Sequence, residues 1–393
     1  MAARTLKPGV HAVGVLDWDK PLFDDLIPLP DGTSYNAYLV KGQDKVALLD
    51  TVDRAFCDEL LANLAAAGVA KLDYVIAQHA EQDHSGSLPA VLARFPEAKV
   101  VTNQKCAELL KTHVHLPAEA VTLIKDGDIL DLGGRTLQFI FAPWVHWPET
   151  MCTWLKEDKV LFSCDLFGSH LATTDLYGGP AVVQRPAKRY YAEIMMPFAA
   201  QVAKNIDKVM QHKIDVIAPS HGPLYEKPKL IVDAYREWAG GEPKNVVCLP
   251  FVSMHDSTRV MVDHLTGALT ERGVAVERFD LTNVDLGELA MSLVDAATIV
   301  IGTPTVLTGP HPLAAYAAYV ANALKPKAKW AAVIGSYGWA GKTVDKLVQL
   351  LPQLKLELFE PVLCKGLPLA EDFEALDKLA AAIAEQHQGL AAR

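Results

Sequence analysis

The feature that most constrains this chain is a regular alternation confined to its second half. From Asn245 onward, strand-type runs at 245–251 (NVVCLPF), 274–279 (VAVERF), 298–302 (TIVIG), 330–335 (WAAVIG) and about 354–363 alternate with amphipathic helical stretches at 257–270, 312–324, 341–350 and 370–386. Strands buried on both faces are apolar throughout, and a right-handed crossover returns each one parallel to the last. Such repeats fit a doubly wound five-stranded parallel sheet with helices on both faces.

The first half follows a different grammar. Tyr38–Val40, Val46–Asp50, Tyr74–Ala77, Lys99–Val101, Thr136–Phe141, Val160–Cys164 and Ile214–Ala218 read as short strands between Gly, Asp or Asn clusters, with helices at 56–67, 87–94 and 104–113. Strands dominate and helices are interposed without strict alternation, which predicts sheets packed face to face with outer helices, an αββα sandwich. AGGEPKN, Ala239 to Asn245, reads as a linker. The expected domains are therefore 1–243 and 244–393.

Composition narrows the function classes. Acidic residues outnumber basic ones 47 to 37, for a net charge of −10, with no basic stripe, so a nucleic-acid partner is not expected. No apolar run approaches the roughly 20 residues of a membrane span, and the first residues show no cleavable leader. The six cysteines are scattered without a C-x-x-C pair, which argues against a disulfide framework or an iron–sulfur site and for the reducing cytoplasm.

The densest chemistry follows Tyr74–Ala77. In Gln78-His79-Ala80-Glu81-Gln82-Asp83-His84-Ser85-Gly86, four ligand-type side chains fall within six residues, where a strand gives way to a loop. On an extended chain His79, Glu81 and Asp83 share a face, and a turn brings His84 near them. Carboxylates this close repel one another unless a cation holds them, so a metal site is favoured over a solvated acidic loop. Later strand ends supply matching groups: His146 in PWVHWP (143–148), Asp165 after Val160–Cys164, and His221 after Val216–Ser220. Singly these read as a packed histidine, a turn aspartate and a cap; after three successive strands they read as one set.

This spacing resembles the metallo-β-lactamase superfamily, whose loop reads H-x-H-x-D-H, with a later His, a bridging Asp and a final His. The chain departs at Glu81, which stands where that loop has its second histidine. Binuclear zinc hydrolases use imidazole-rich sets; a carboxylate adds hard oxygen and negative charge and shifts the preference towards iron. His79, Glu81, Asp83, His146, Asp165 and His221 then hold two metals with Asp165 bridging, and His84 is read as a supporting residue outside that set.

In the second half the first strand runs into Ser253-Met254-His255-Asp256-Ser257-Thr258 ahead of a helix. Hydroxyls and backbone N–H groups at a helix N-terminus can cradle a phosphate, although Ser and Thr cap helices widely. No G-x-x-x-x-G-K loop is present. Gly302-Thr303-Pro304-Thr305-Val306-Leu307-Thr308-Gly309 follows the third strand and Gly335-Ser336-Tyr337-Gly338-Trp339-Ala340-Gly341 the fourth, at the switch-point crevice of a 2-1-3-4-5 sheet. This half resembles flavodoxin, which binds FMN. The flavin contacts expected are Ser253, Met254, His255, Ser257 and Thr258; Pro304, Thr305, Val306, Leu307 and Thr308; and Ser336, Tyr337, Gly338, Trp339 and Gly341. His255 and Asp256 depart from the commoner flavodoxin loop, which favours small residues.

A lactamase-like domain with a carboxylate-substituted metal loop, ahead of a flavodoxin-like domain, is similar to the flavodiiron protein family over essentially the whole chain. The markers are H-x-E-x-D-H at 79–84, His146-Trp147-Pro148, Asp165, His221-Gly222 and Gly335-Ser336-Tyr337-Gly338-Trp339. The resemblance implies reduction of dioxygen to water and/or nitric oxide to nitrous oxide at a non-haem di-iron centre. Electrons would pass through FMN from an external donor, rubredoxin foremost, coenzyme F420 in some relatives. It further implies a head-to-tail homodimer or a dimer of dimers. Of the two Fe, it implies His79, Glu81 and Asp165 on one, and Asp83, His146, His221 and Asp165 on the other. Two rival readings share the scaffold: a binuclear zinc hydrolase with a flavodoxin-like accessory domain, opposed by Glu81, and an FMN electron carrier with a degenerate metal domain, opposed by the intact ligand set. Trp147 and Tyr38 read as core packing ahead of pocket lining.

Overall fold

The structure, a computed structural model, describes residues 3–339 and 341–392. The chain divides into two compact units, residues 1–191 with 198–240, and residues 192–197 with 241–393.

In the first unit, one sheet runs Arg4–Lys7, Val10–Ala12, Tyr38–Lys41, Val46–Leu49, Tyr74–Ile76, Lys99–Thr102, Val121–Leu123, antiparallel as far as Val46–Leu49 and parallel beyond it. The other runs Ile129–Asp131, Thr136–Phe141, Met151–Leu155, Val160–Cys164, Val216–Pro219, antiparallel except for its last, parallel pair. Alternation of side chains along each strand decides what packs where. Tyr38, Val40, Ala47 and Leu49 meet Phe139, Leu155, Phe162 and Ala218 between the sheets. Leu39, Leu48, Val75 and Val100 face the other way, onto Leu60, Leu64, Val91 and Leu110 of the helices Cys57–Ala66, Leu88–Arg94 and Gln104–His113. Each fully buried Leu or Phe contributes about 2–3 kcal/mol relative to exposure. On the far side of the second sheet, helices Ala199–Val209 and Pro228–Gly240 pack together. The first is tied to the sheet by Asn205 Nδ2 donating to Pro143 O at 3.0 Å and Lys208 Nζ donating to Phe141 O at 2.7 Å. These helices and the strand Met151–Leu155 lie outside the elements read from sequence. Val202, Ile206 and Val209 of the first helix and Ile231, Val232, Tyr235 and Trp238 of the second are buried, and Thr153 is buried mid-strand. The expected strand Ile214–Ala218 forms at Val216–Pro219.

In the second unit the parallel sheet runs Ala275–Asp280, Lys244–Phe251, Ala296–Val306, Trp330–Tyr337, then a fifth strand broken into Glu357–Leu358 and Val362–Lys365, both paired with the fourth. This is the expected order, 2-1-3-4-5. The third and fourth strands approach so closely at Gly335 that a Cβ there would lie 1.9 Å from Thr303 O. Helices Ser257–Glu271, Pro312–Leu324, Thr343–Gln349 and Ala370–Gln386 fall where periodicity places them. A fifth, Leu286–Asp295, was not expected: Leu289, Ala290, Met291, Leu293 and Val294 are buried, so no polar stripe marks the helical period. The expected linker is shorter than its composition suggests. The helix Pro228–Gly240 absorbs Ala239 and Gly240, and the next strand starts at Lys244.

Candidate functional site

Strand ends bring the ligand-type residues together. His79, Glu81 and Asp83 follow Tyr74–Ile76, His146 sits in the turn between Thr136–Phe141 and Met151–Leu155, and Asp165 and His221 follow the parallel pair Val160–Cys164 and Val216–Pro219. The chain does not stay extended after Glu81. Gln82–Ser85 forms a single helical turn, which carries His84 into the cluster.

Asp165 stands at the centre. Its Oδ2 lies 3.4 Å from His79 Nε2 and 3.7 Å from His146 Nε2, and Glu81 Oε2 lies 3.0 and 3.1 Å from the same two nitrogens. Its Oδ1 lies 3.2 Å from His84 Nε2 and 3.3 Å from His221 Nε2, while Asp83 approaches those two at 3.4 and 3.2 Å. The cluster therefore has two halves, His79–Glu81–His146 and Asp83–His84–His221. This corrects the partition drawn from resemblance: His146 falls on the His79 side, and His84 occupies the half shared by Asp83 and His221. The Trp144–Trp147 turn, closed by Trp144 N donating to Trp147 O at 2.7 Å, directs His146 that way. Trp147 packs edge-on against His79, with ring centres 5.0 Å apart, so it touches the cluster. Tyr38 is core: its hydroxyl donates to Pro219 O at 2.6 Å, and its ring packs on Phe162.

The donor chemistry fits a pair of cations. Asp83 Oδ1, His84 Nε2 and Asp165 Oδ2 are buried without a hydrogen-bond partner, although each has an opposite-type atom within 3.7 Å. Such atoms converge on common points rather than on each other, as ligands do. Burial alone would raise the carboxyl pKa values of Glu81, Asp83, Glu149 and Asp165, but the adjoining imidazoles outweigh it and hold all four low. Burial likewise disfavours protonated His79, His84 and His221. Hydrogen bonds to Glu149 and Glu81 for His79, the charges of Asp165 and Asp83 for His84, and bonds to both aspartates for His221 lift each to about 10. Four carboxylate charges thus face three imidazolium charges, and two divalent ions would balance the four with every histidine neutral.

Residues that sequence reasoning passed over hold these groups in place. Glu149 Oε1 accepts from His79 Nδ1 at 2.8 Å and from Ala80 N at 3.2 Å. His221 Nδ1 donates to Ser34 O at 2.7 Å, and Gly222 N donates to Ser34 Oγ at 2.7 Å. Gly222 takes φ 78°, and a Cβ there would lie 2.0 Å from Ser169 Oγ, so only glycine fits. Buried Asp50 accepts from Gln78 N and Gln78 Nε2, both at 2.8 Å, and fixes the start of the ligand loop. Tyr190 donates to Asp165 Oδ1 at 3.1 Å. The available signals were weak: Glu149 directly follows PWVHWP, and Asp50 ends an apolar strand. Glu81, Asp83 and His221 line a cavity of about 170 Å³ together with Tyr35 and His170.

In the second unit the hydroxyl-rich segments gather at the carboxyl ends of strands. Ser253 Oγ accepts from Arg259 N at 3.1 Å, Ser257 N donates to His255 O, and Asp256 precedes the helix at φ 62°. Thr258 Oγ1 lies 3.2 Å from Ser336 Oγ, and Thr305 Oγ1 lies 2.8 Å from Thr343 Oγ1. Pro304, Thr305 and Val306 belong to the long third strand rather than to the loop, Leu307 and Thr308 form the turn that folds Gly309–Pro310 back onto it, and Tyr337 ends the fourth strand. A Cβ on Gly338 would meet open space, and one on Gly341 would press on Thr305. Ala340 lies outside the described residues. Met254, Leu307 and Trp339 are 51%, 90% and 78% exposed, large apolar side chains left in water beside backbone donors and hydroxyls. That combination suits a flat, partly apolar ring carrying a phosphate.

The fold and site define a lactamase-type metal domain followed by a flavodoxin-type domain. Residues 33–222 match the family model described as ODP family beta lactamase. Over 391 residues the chain is 34% identical to the nitric oxide reductase of Moorella thermoacetica, spanning 96% of this chain and 98% of that protein. The structure of rubredoxin oxygen:oxidoreductase from Desulfovibrio gigas matches with a TM-score of 0.94 at 30% identity over 98% of both chains. That of the flavodiiron protein from Giardia intestinalis matches with a TM-score of 0.91 at 28% identity, again over 98% of both. The chain belongs to the flavodiiron protein family.

Proposed function

We propose that this chain is a flavodiiron oxidoreductase that reduces dioxygen to water, nitric oxide to nitrous oxide, or both, with electrons relayed through FMN from an external donor such as rubredoxin. The observation that carries this reading is Glu81. Its carboxylate sits against both His79 and His146, giving an oxygen-rich set suited to iron where an imidazole would suit zinc. The relatives' names, nitric oxide reductase and rubredoxin oxygen:oxidoreductase, support redox chemistry over a zinc hydrolase with a flavodoxin-like accessory domain.

On this reading residues 1–243 form the di-iron domain and residues 244–393 the FMN domain. His79, Glu81 and His146 would hold one iron and Asp83, His84 and His221 the other, with Asp165 reaching both halves. Ser253, Met254, His255, Ser257 and Thr258, residues 304–308, residues 336–339 and Gly341 would hold FMN. Bound there, iron and flavin supply the one-electron chemistry that the side chains lack. The chain's own task is geometric and electrostatic. Glu149 and Ser34 O accept hydrogen bonds from the Nδ1–H groups of His79 and His221, leaving each Nε2 lone pair free towards the centre. Tyr190 steadies the bridging carboxylate. A 170 Å³ cavity has room for a diatomic gas and a few waters. We further propose a head-to-tail homodimer or a dimer of dimers, with no nucleic-acid partner, acting in the cytoplasm. No helix among the described residues is long and apolar enough to cross a membrane.

Anaerobic purification should give a yellow protein with two iron atoms and one FMN per chain. Stopped-flow mixing of the reduced protein with O2 and NO in turn should reoxidise the flavin with at least one of them. A colourless protein holding only zinc, or a reduced flavin indifferent to both gases, would refute the reading.

A further inference from the structure

We propose that Glu149 is a positioning residue that makes the two halves of the metal centre electronically unequal, so that the iron on the His79 side is the more readily oxidised of the pair. The inference rests on the di-iron reading above.

The two halves have matched ligands and unmatched support. In one, His79 Nδ1 donates to Glu149 Oε1 at 2.8 Å, and neither side chain has any exposure. In the other, His221 Nδ1 donates to Ser34 O, a neutral carbonyl, at 2.7 Å. Both bonds fix the same tautomer, with the proton on Nδ1 and the lone pair on Nε2. Only the first places a whole negative charge behind the ring. A carboxylate accepting the N–H of a ligating imidazole makes the other nitrogen a stronger donor. The charge is also poorly spent elsewhere: Glu149 Oε1 takes one further bond, from Ala80 N at 3.2 Å, while its Oε2 is buried without a hydrogen-bond partner. Its main chain is anchored, since Glu149 O accepts from Asn103 Nδ2 at 2.6 Å.

The charge count follows. Each half has one carboxylate of its own, Glu81 or Asp83, and shares Asp165. Glu149 adds a further negative charge bonded directly to a ligating ring of the His79 half, whereas buried Asp50, beside His84 in the other half, has both oxygens taken by Gln78 N and Nε2. Ferric iron carries one more positive charge than ferrous, so the half with the extra anion favours the ferric state and gives up its electron at the lower potential.

The test is a mediated redox titration of the 57Fe-loaded holoenzyme, read by EPR and Mössbauer spectroscopy, for wild type and Glu149→Gln. Two one-electron iron couples are expected in wild type, the electron from each ferrous ion passing to the mediator. In E149Q the lower couple should rise towards the upper one, and one of the two irons should pass to a chelator about 10- to 100-fold more readily. Equal movement of both couples would overturn the asymmetry; unchanged couples and chelation would overturn any role for Glu149. Wild-type protein that binds no iron would refute the underlying reading, before any variant is made. If E149Q fails to melt cooperatively, 15N-labelled, zinc-loaded wild-type protein decides by NMR. The His79 Nδ1 proton should lie well downfield of that of His221, and coincident shifts would overturn the proposal.

Discussion

Filling the metal-free centre with two divalent ions at pH 7 should expel about three protons. His79, His84 and His221 are each lifted to about 10 in the metal-free protein, so at pH 7 all three carry a proton. The carboxylates around them are held low and have none to give. A metal ligates only neutral imidazole, so binding must displace those protons. Each displaced proton makes affinity rise tenfold per pH unit, about 1.4 kcal/mol, so three give about 4 kcal/mol, or roughly a thousandfold, between pH 6 and pH 7. The protein's own stability runs the opposite way. Because these folded-state values lie above the unfolded one, the imidazolium–carboxylate pairs stabilise the metal-free form fully below about pH 6.5 and are lost as pH rises through 10. The assay is anaerobic titration of chelator-stripped protein with Fe²⁺ in weak buffer containing an indicator dye, repeated as a competition between pH 6 and pH 8. Release of less than one proton per filled centre, or an affinity flat across that range, would refute the reasoning.

Two further outcomes are expected. Glu81→His should raise the zinc share at the expense of iron and abolish flavin reoxidation by O2 or NO, because it restores an imidazole-rich set; metal analysis with stopped-flow turnover checks this, and unchanged iron with unchanged turnover would remove the role given to that carboxylate. His387 lies buried in the second unit, where its Nδ1 donates to Asn245 Oδ1 at 2.9 Å and its Nε2 accepts from Thr298 Oγ1 at 2.7 Å; burial lowers it to about 4. Its contribution is full above about pH 6.5 and lost as pH falls towards 4. Melts of His387→Gln should therefore show a flatter loss of stability across that window, and an unchanged slope would count against it.

Local information made much of this chain readable. The second unit's parallel sheet with helices on both faces follows from a repeating strand–helix period, and the ligand loop announces itself because four metal-seeking side chains crowd into six residues. Legibility failed where the deciding neighbour is distant. Helix Leu286–Asp295 escaped because it is buried nearly all round, which erases the polar stripe by which a helix is read. The partition of ligands escaped because His146 could serve either half until the Trp144–Trp147 turn aimed it at His79. Glu149 and Ser34 escaped because an acid after a proline and a serine in a strand look ordinary until the sheets bring them to His79 and His221.

The chain alone determined which chemical groups are available and on which strand ends they fall, since residue identity and short-range periodicity are local properties. Which of those groups come within a few ångströms of one another, which imidazole backs onto a carboxylate and which onto a neutral carbonyl, was decided only when two sheets closed over one core. The reason is that a hydrogen bond or a ligand pair depends on a few ångströms in space, and residues as far apart as His79 and His221 acquire such distances only through packing.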